Sequence, residues 1–353
     1  MSDFRVNSIT NQDGSAGPQV CGVSTFSGKS GFQIPSGSTE FRRLDGGGRG
    51  RGVVAGGSEP SPSGNVNTME FIEIATTGNS TDFGDFNQSP YFGGTGFASA
   101  TRGLFAGGYN PTAGITDIGV FIFSSNGGAN DFGDMAFRRY YAYSPSDSTR
   151  GLIAGGKTNP VAGNLHSIEF VTMASTGDAS GFGDLIDKRN WGAAVNSPTR
   201  GLFGGGRPLA PTNSTYTNSI EFVTIQTKGD ALDFGNLVAA AGAMDGCSST
   251  TRGLWGAKYG GSFTAAIDFV TIATFGNASD FGDLTRTVFG AGGMSNSIRG
   301  VWAGGQNPSN DPGMNIMDYV TIATTGNAVD FGDLIVPRGY VKGCSDTHGG
   351  LAQ

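Results

Sequence analysis

The sequence predicts an all-β protein built from tandem repeats. Three observations predict it: a Gly- and Phe-rich composition, short apolar blocks that recur in phase, and turn chemistry between the blocks. Of 353 residues, 62 are Gly, 37% are hydrophobic and 10% aromatic, while only 14% are charged. That is too much apolar side chain for a disordered chain, and the glycines lack the G-X-Y period of collagen. Many short apolar runs punctuated by glycine fit short strands and tight turns.

The first block is Arg-Gly followed by a short apolar run and Gly-Gly. It begins at Arg51, Arg102, Arg150, Arg200, Arg252 and Arg299, about 50 residues apart. The fifth copy reads Arg252-Gly-Leu-Trp-Gly-Ala257, its second doublet glycine replaced by Ala257, and a cut-off seventh copy appears at 348–352, with His348 in the Arg position. The second block alternates an acid with β-branched and aromatic residues, as in Ile168-Glu169-Phe170-Val171. Such a run is apolar on both faces and reads as a strand sandwiched between two sheets. The third block is an Asp-Phe-Gly-Asp string, with its Phe at 83, 132, 182, 234, 281 and 331. Between the second and third blocks lies Thr-Gly-Asn-Ala-Ser-Asp-type turn chemistry. A further strand precedes each Arg, as in 191–195. Each unit thus reads as four strands, A to D, with the Arg opening B.

Such units cannot bury their faces alone, so they stack, and a ring removes exposed edges. Counting from residue 38 gives seven A, seven B, six C and six D strands. The expected fold is therefore a single β-propeller of seven blades at 21–353. Strands within 21–35 complete the blade begun at 340–352, and 1–20 form an N-terminal arm. Deleting 1–36 is then expected to unfold the ring.

Four short strands per unit with Gly-Gly after the second resemble the kelch β-propeller repeat, over residues 38–353. The resemblance implies architecture and no specific partner, since Phe stands where a kelch blade usually carries Trp.

The repeated Arg51, Arg102, Arg150, Arg200, Arg252 and Arg299 form a structural ring. They are expected to pair between blades with the acids at Glu70, Glu169, Glu221, Asp268 and Asp318, or at Asp85, Asp134, Asp184, Asp283 and Asp333, because buried charges need partners. Asp-Phe-Gly here is a repeat element rather than a kinase metal loop, since it recurs in every unit and no kinase lysine-strand motif accompanies it. No residues are assigned to catalysis, a metal or a cofactor. Cys21, Cys247 and Cys344 have no metal spacing, and His166 and His348 lie in no nucleophile motif. The net charge of −7 argues against a nucleic-acid partner, and no apolar run approaches the roughly 18 residues of a membrane helix.

Binding is expected on the face that carries the B–C and D–A connections, because these differ between units while the C–D turns are nearly identical. The residues chosen are Tyr109, Asn110, Tyr140, Tyr141, Trp191, Arg207, Tyr216 and Tyr259, types that recognition surfaces use.

The opening Met1-Ser-Asp-Phe-Arg-Val-Asn-Ser-Ile-Thr, and repeats such as Thr-Ile-Ala-Thr-Thr-Gly-Asn-Ala-x-Asp-Phe-Gly-Asp-Leu, resemble tail-fibre and other virion proteins of marine and cyanobacterial phages. This implies a non-enzymatic virion component made in the host cytoplasm and present in multiple copies. Its N-terminal arm would dock to other virion proteins and its loops would meet a host-surface glycan or protein. A capsid decoration protein, a cellular kelch-like interaction module and a carbohydrate-active enzyme are the competing expectations.

Overall fold

The structure, a computed structural model, describes residues 50–59, 64–86, 92–110, 113–158, 163–208, 215–307 and 313–351. The segments expected to dock and to close the ring, within 1–49, lie outside the described residues.

Each repeat folds as an antiparallel sheet in the order A-B-C-D from the axis outwards. Blade 2 comprises A Thr95–Ala98, B Arg102–Ala106, C Asp117–Ile122 and D Asn130–Asp134. Blades 4, 5 and 6 repeat it from Ala193–Asn196, Asp245–Ser248 and Gly292–Ser295 as A strands, with B strands at Arg200–Gly204, Arg252–Gly256 and Arg299–Ala303. In blade 3 the A segment is reduced to bridges at Tyr143 and Ser146, because Pro145 between them has no N–H to give the ladder.

Blade 1 decides the closure. Its B strand Arg51–Ala55 pairs outwards with Thr68–Glu73 and inwards with Lys342–Ser345 from the far end of the chain. The described residues form a six-bladed β-propeller.

The expectation of seven blades is thereby corrected. The final A strand starts no new blade but completes the first, so no blade remains for strands of 21–35 to finish. In five blades the A–B turn is local: Asp147, for example, accepts the Arg150 N–H at 2.8 Å. At the seam the same turn is made by residues from opposite ends of the chain. Asp346 Oδ1 accepts the Arg51 N–H at 2.8 Å, and the Asp346 N–H donates to the Arg51 carbonyl.

Beyond Asp346 the chain does not enter a B strand, so His348 does not occupy the Arg position expected for it. The tail turns into the axis and plugs it, burying His348 and Leu351. His348 Nε2–H donates to the Ala98 carbonyl at 2.7 Å, while Nδ1 accepts from Asn196 Nδ2–H and the Gly350 N–H. With two donors aimed at Nδ1, only the neutral ring fits. Burial accordingly lowers its pKa to about 4. The unfolded chain takes up a proton near pH 6.5 that the folded one refuses until about pH 4. Stability present above pH 6.5 is therefore lost on acidification through this window, by about 3 kcal/mol. Denaturant midpoints at pH 7 and pH 4.5 measure it; equal losses in wild type and His348→Gln would assign the effect elsewhere.

Neighbouring blades pack through apolar clusters, such as Val54, Ile72 and Ile74 of blade 1 against Met294, Val301 and Phe331 of blade 6, and hydrogen bonds join their outer strands. Each Asp-Phe-Gly carbonyl and turn meets the C–D turn of the next blade. Phe83 O accepts the Gly127 N–H at 2.7 Å and Asp85 O accepts the Ala129 N–H, and both bonds recur at all six joints. Gly84 and Gly127 pack backbone to backbone, and a Cβ on Gly84 would lie 2.7 Å from the Gly127 carbonyl carbon. The third block and the turn before it are thus two halves of one joint, which explains why both repeat so strictly. The Asn or Asp after the turn glycine completes it: Asn79, Asp178, Asp230, Asn277 and Asn327 each accept a D-strand N–H.

The Arg ring also joins blades, but not as expected. Arg102 donates to Met173 O and Ala174 O, Arg200 to Ile272 O and Ala273 O, and Arg299 to Ile74 O, in each case on the next blade around. Arg51, Arg150 and Arg252 do the same to Phe123, Ile225 and Ile322. Only Arg51 also meets a carboxylate, Glu73, among the described residues. Five of the six guanidinium groups lie over an aromatic ring of their own C strand, such as Phe71 at 4.2 Å. Blade 2 has Val120 there. The turn carbonyls at a strand end lack ladder partners, and a planar fork of donors satisfies two at once.

The acids of the second block take other cations, which arrive through the D–A connections. Arg139 pairs with Glu169, Arg189 with Glu221 at 2.9 Å, Arg338 with Glu70 at 2.7 Å and Arg286 with Asp318 at 2.7 Å. Each of these Arg side chains also donates to carbonyls at the end of B or the start of C, as Arg338 does to Gly56 O and Thr68 O. Burial lowers the guanidinium pKa of Arg139, Arg286 and Arg338 against the opposing pull of their carboxylates, and raises the Glu221 carboxyl despite Arg189.

Blade 5 has no Arg in this connection. Its cation is Lys258, 2.6 Å from Asp268. Aligned on the strands, Ala257 takes the place of the first doublet glycine, not the second, and adopts its left-handed φ of 54°. Lys258 takes the place of the second. Blade 2 has no acid at this position: Gly119 stands there, and the Phe86 ring fills the space.

Candidate functional site

The D–A connection enters each A strand through one residue in the left-handed region. These residues are Gly93, Tyr141, Trp191, Ala243, Gly290 and Tyr340, with φ between 50° and 68°. Their backbones form a circle around the axis. Tyr141 N–H donates to Gly93 O, Trp191 to Tyr141 O at 3.0 Å, Ala243 to Trp191 O, Gly290 to Ala243 O and Gly93 to Tyr340 O. Bulky residues rarely hold positive φ, and each such residue costs on the order of 1–3 kcal/mol unless its surroundings over-determine it. The circle supplies that constraint, and it turns Tyr141, Trp191 and Tyr340 towards one another over the axis.

The residue before each of these pairs with the residue after the Gly-Gly doublet of the same blade: Phe92 with Tyr109, Tyr140 with Lys157, Asn190 with Arg207, Gly242 with Tyr259, Phe289 with Gln306 and Gly339 with Ser58. The B–C and D–A connections are thereby tied into a collar, and variable loop residues are held at fixed radial positions.

Aromatic rings dominate this face. Tyr109 lies 5.2 Å from Tyr140, Tyr140 lies 5.1 Å from Tyr141, and Tyr141 lies 5.0 Å from Trp191. Tyr340 contacts Tyr141 and Trp191, and Phe92 bridges Tyr109, Tyr141 and Tyr340. Tyr216, Tyr259, Phe263 and Phe289 continue the cluster on the other side. The Arg207 guanidinium lies 5.9 Å from the Trp191 ring centre and 6.0 Å from that of Tyr216, linking the two halves. Burial raises the phenol pKa of Tyr141, Tyr140, Tyr216 and Tyr340, so their hydroxyls stay protonated at neutral pH.

Seven of the eight residues chosen from sequence therefore come together. Tyr140 is buried within the cluster and the others are half-buried. Asn110 stands apart, its side-chain oxygen accepting the Ala113 N–H and shaping its own loop. Phe92, Phe289 and Tyr340 were missed, yet they occupy the same repeat positions as Tyr140 and Tyr141, so the phase of the repeat could have found them.

Below the rings, the A strands enclose an axial cavity of about 50 Å³, room for a few waters. Ser146, Ser248, Ser295 and Ser345 line it, and their hydroxyls tie neighbouring A strands: Ser248 N–H donates to Ser295 Oγ, and Ser295 N–H to Ser345 Oγ. Ser146 lies 3.3 Å from His348 Nε2, but both are buried and both are committed to the Ala98 carbonyl. Burial holds the Cys247 and Cys344 thiols well above their usual pKa. Among the described residues no group of three His, Cys, Asp or Glu side chains could hold a metal, and no helix is long and apolar enough to cross a membrane. The face is equipped for stacking and hydrogen bonding. No family model matches the sequence, and no curated protein matches it.

Proposed function

We propose that this protein is a virion structural component, tail- or fibre-associated, whose propeller displays the loop face to bind a carbohydrate on the host surface. The observation that carries the binding role is the convergence of aromatic rings from all six blades and both loop sets onto one collar. The apolar C–H face of a pyranose packs on such rings, and phenol and indole groups supply the hydrogen bonds that fix its orientation. The virion setting rests on the resemblance of the repeat and of the first residues to phage structural proteins. The role is recognition without turnover.

A glycan array probed with the purified protein tests the binding. Specific hits are expected, and Trp191→Ala is expected to weaken them at least tenfold, since such anchors commonly contribute 2 kcal/mol or more. An array without hits would remove the carbohydrate reading. Mass spectrometry of purified particles tests the setting, and absence of the chain from them would reject it.

A further inference from the structure

We infer that the saccharide taken by the loop face is anionic, its negative group received by Arg207. This rests on the carbohydrate reading above and adds the charge of the ligand to it.

The argument begins from how the chain treats its other cations. It has 29 acidic and 22 basic residues, so carboxylates are plentiful. Arg139, Arg189, Arg286, Arg338 and Lys258 each have one in the interior. Lys342, at the axis, has Asp245 at 3.4 Å. The repeated Arg residues spend their donors on turn carbonyls. Two half-buried cations do neither. Arg207 and Lys157, both in the collar, have no ion pair among the described residues and lie near rings, Arg207 between Trp191 and Tyr216 and Lys157 6.0 Å from the Tyr140 centre. Like those of Arg139, Arg189, Arg286 and Arg338, the Arg207 Nε is buried without a hydrogen-bond partner, but of these five only Arg207 also lacks an ion pair among the described residues.

The shape beside Arg207 also breaks the sixfold pattern. Ala243 and Gly290, on neighbouring blades, leave the axial circle without large side chains between Trp191 and Tyr340. The result is a small depression lined by Trp191, Ala243, Met244, Gly290, Tyr340 and Lys342, among others, with no carboxylate in its wall. A sugar ring stacked at its edge on Trp191 would bring a ring carboxylate or sulfate to the guanidinium, whose planar fork matches either group. Lys342 below is already balanced by Asp245, and Lys157, on the neighbouring blade of the collar, adds charge of the same sign.

The test uses the full chain on an array carrying neutral, uronate- or sialate-bearing, and sulfated glycans. The tightest acidic binder is then compared in solution with its carboxyl-reduced or desulfated form. Binding confined to acidic glycans is expected, about tenfold stronger than for the neutralised form and weakening as salt rises from 50 to 500 mM. Arg207→Gln is expected to lower the acidic affinity about tenfold and leave that of the neutralised sugar unchanged, with Lys157→Gln giving a smaller loss. Equal binding of charged and neutralised forms, or no change in an Arg207→Gln protein of unaltered melting temperature, would overturn the inference while leaving the carbohydrate reading in place. A blank array would overturn both.

Discussion

A chain ending at residue 341 is expected to lose its cooperative unfolding transition altogether. It lacks Lys342–Ser345, and with it the inner partner of Arg51–Ala55. It also loses the Asp346 carboxylate that caps the Arg51 N–H, and the plug that buries His348 and Leu351 at the axis. The remaining B strand of blade 1 would present an unpaired edge in the middle of the ring, where such edges pair with other chains. Blades 6 and 1 would then keep their outer-strand bonds, the Arg299 and Arg338 contacts and their apolar cluster, but no shared sheet. Far-ultraviolet dichroism on heating, with sedimentation to detect aggregates, measures the outcome. A chain starting at residue 37 keeps every one of these contacts and is expected to melt cooperatively, which reverses the outcome that the count of seven blades implied. A sharp transition in the first protein would show that the seam is not what closes the ring.

Arg338→Met is expected to destabilise the fold by about 3–5 kcal/mol, the usual cost of leaving one member of a buried ion pair without the other. Arg338 is fully buried, contacts Glu70 at 2.7 Å, and reaches the carbonyls of Gly56 and Thr68. It belongs to the connection leaving blade 6 but binds blade 1, so the loss falls on the seam. The double variant Arg338→Met, Glu70→Leu is expected to regain part of the loss, because the uncompensated charge is gone. Recovery stays incomplete, since Glu70 also accepts from the Ile335 N–H and the Ser80 hydroxyl. Blade 2 shows that the site works without ions, with Gly119 and the Phe86 ring filling it. Guanidinium titration of the three proteins gives the numbers; a single variant within 1 kcal/mol of wild type would remove the pair from the account of stability.

These contacts also mark where the sequence is legible. The strands, their order and the face that carries the aromatic residues follow from local patterns: an apolar run, a turn, a loop of changing length. The blade count does not, because it depends on one pairing between residues about three hundred positions apart, and no local pattern announces which end lends the strand. A hint existed, since Ser345-Asp346-Thr347 matches the Ser146-Asp147 turn that precedes Arg150. The repeated Arg residues were expected to meet carboxylates, but their acceptors on the next blade are mostly backbone carbonyls, which every residue carries and no composition reveals. Arg139 and Arg189 sit in irregular connections that read as exposed loops. Only the fold turns them inwards onto Glu169 and Glu221.

The seam also sets a direction. Arg51 starts its strand beside the C–D turns, at the end of the axis remote from the collar, with its guanidinium on Phe123 O and Asn126. The last residues of the ring finish at the same end. Anything that holds the protein at Arg51 would therefore grip it from the back and leave Trp191, Arg207 and Tyr216 free at the opposite end of the axis.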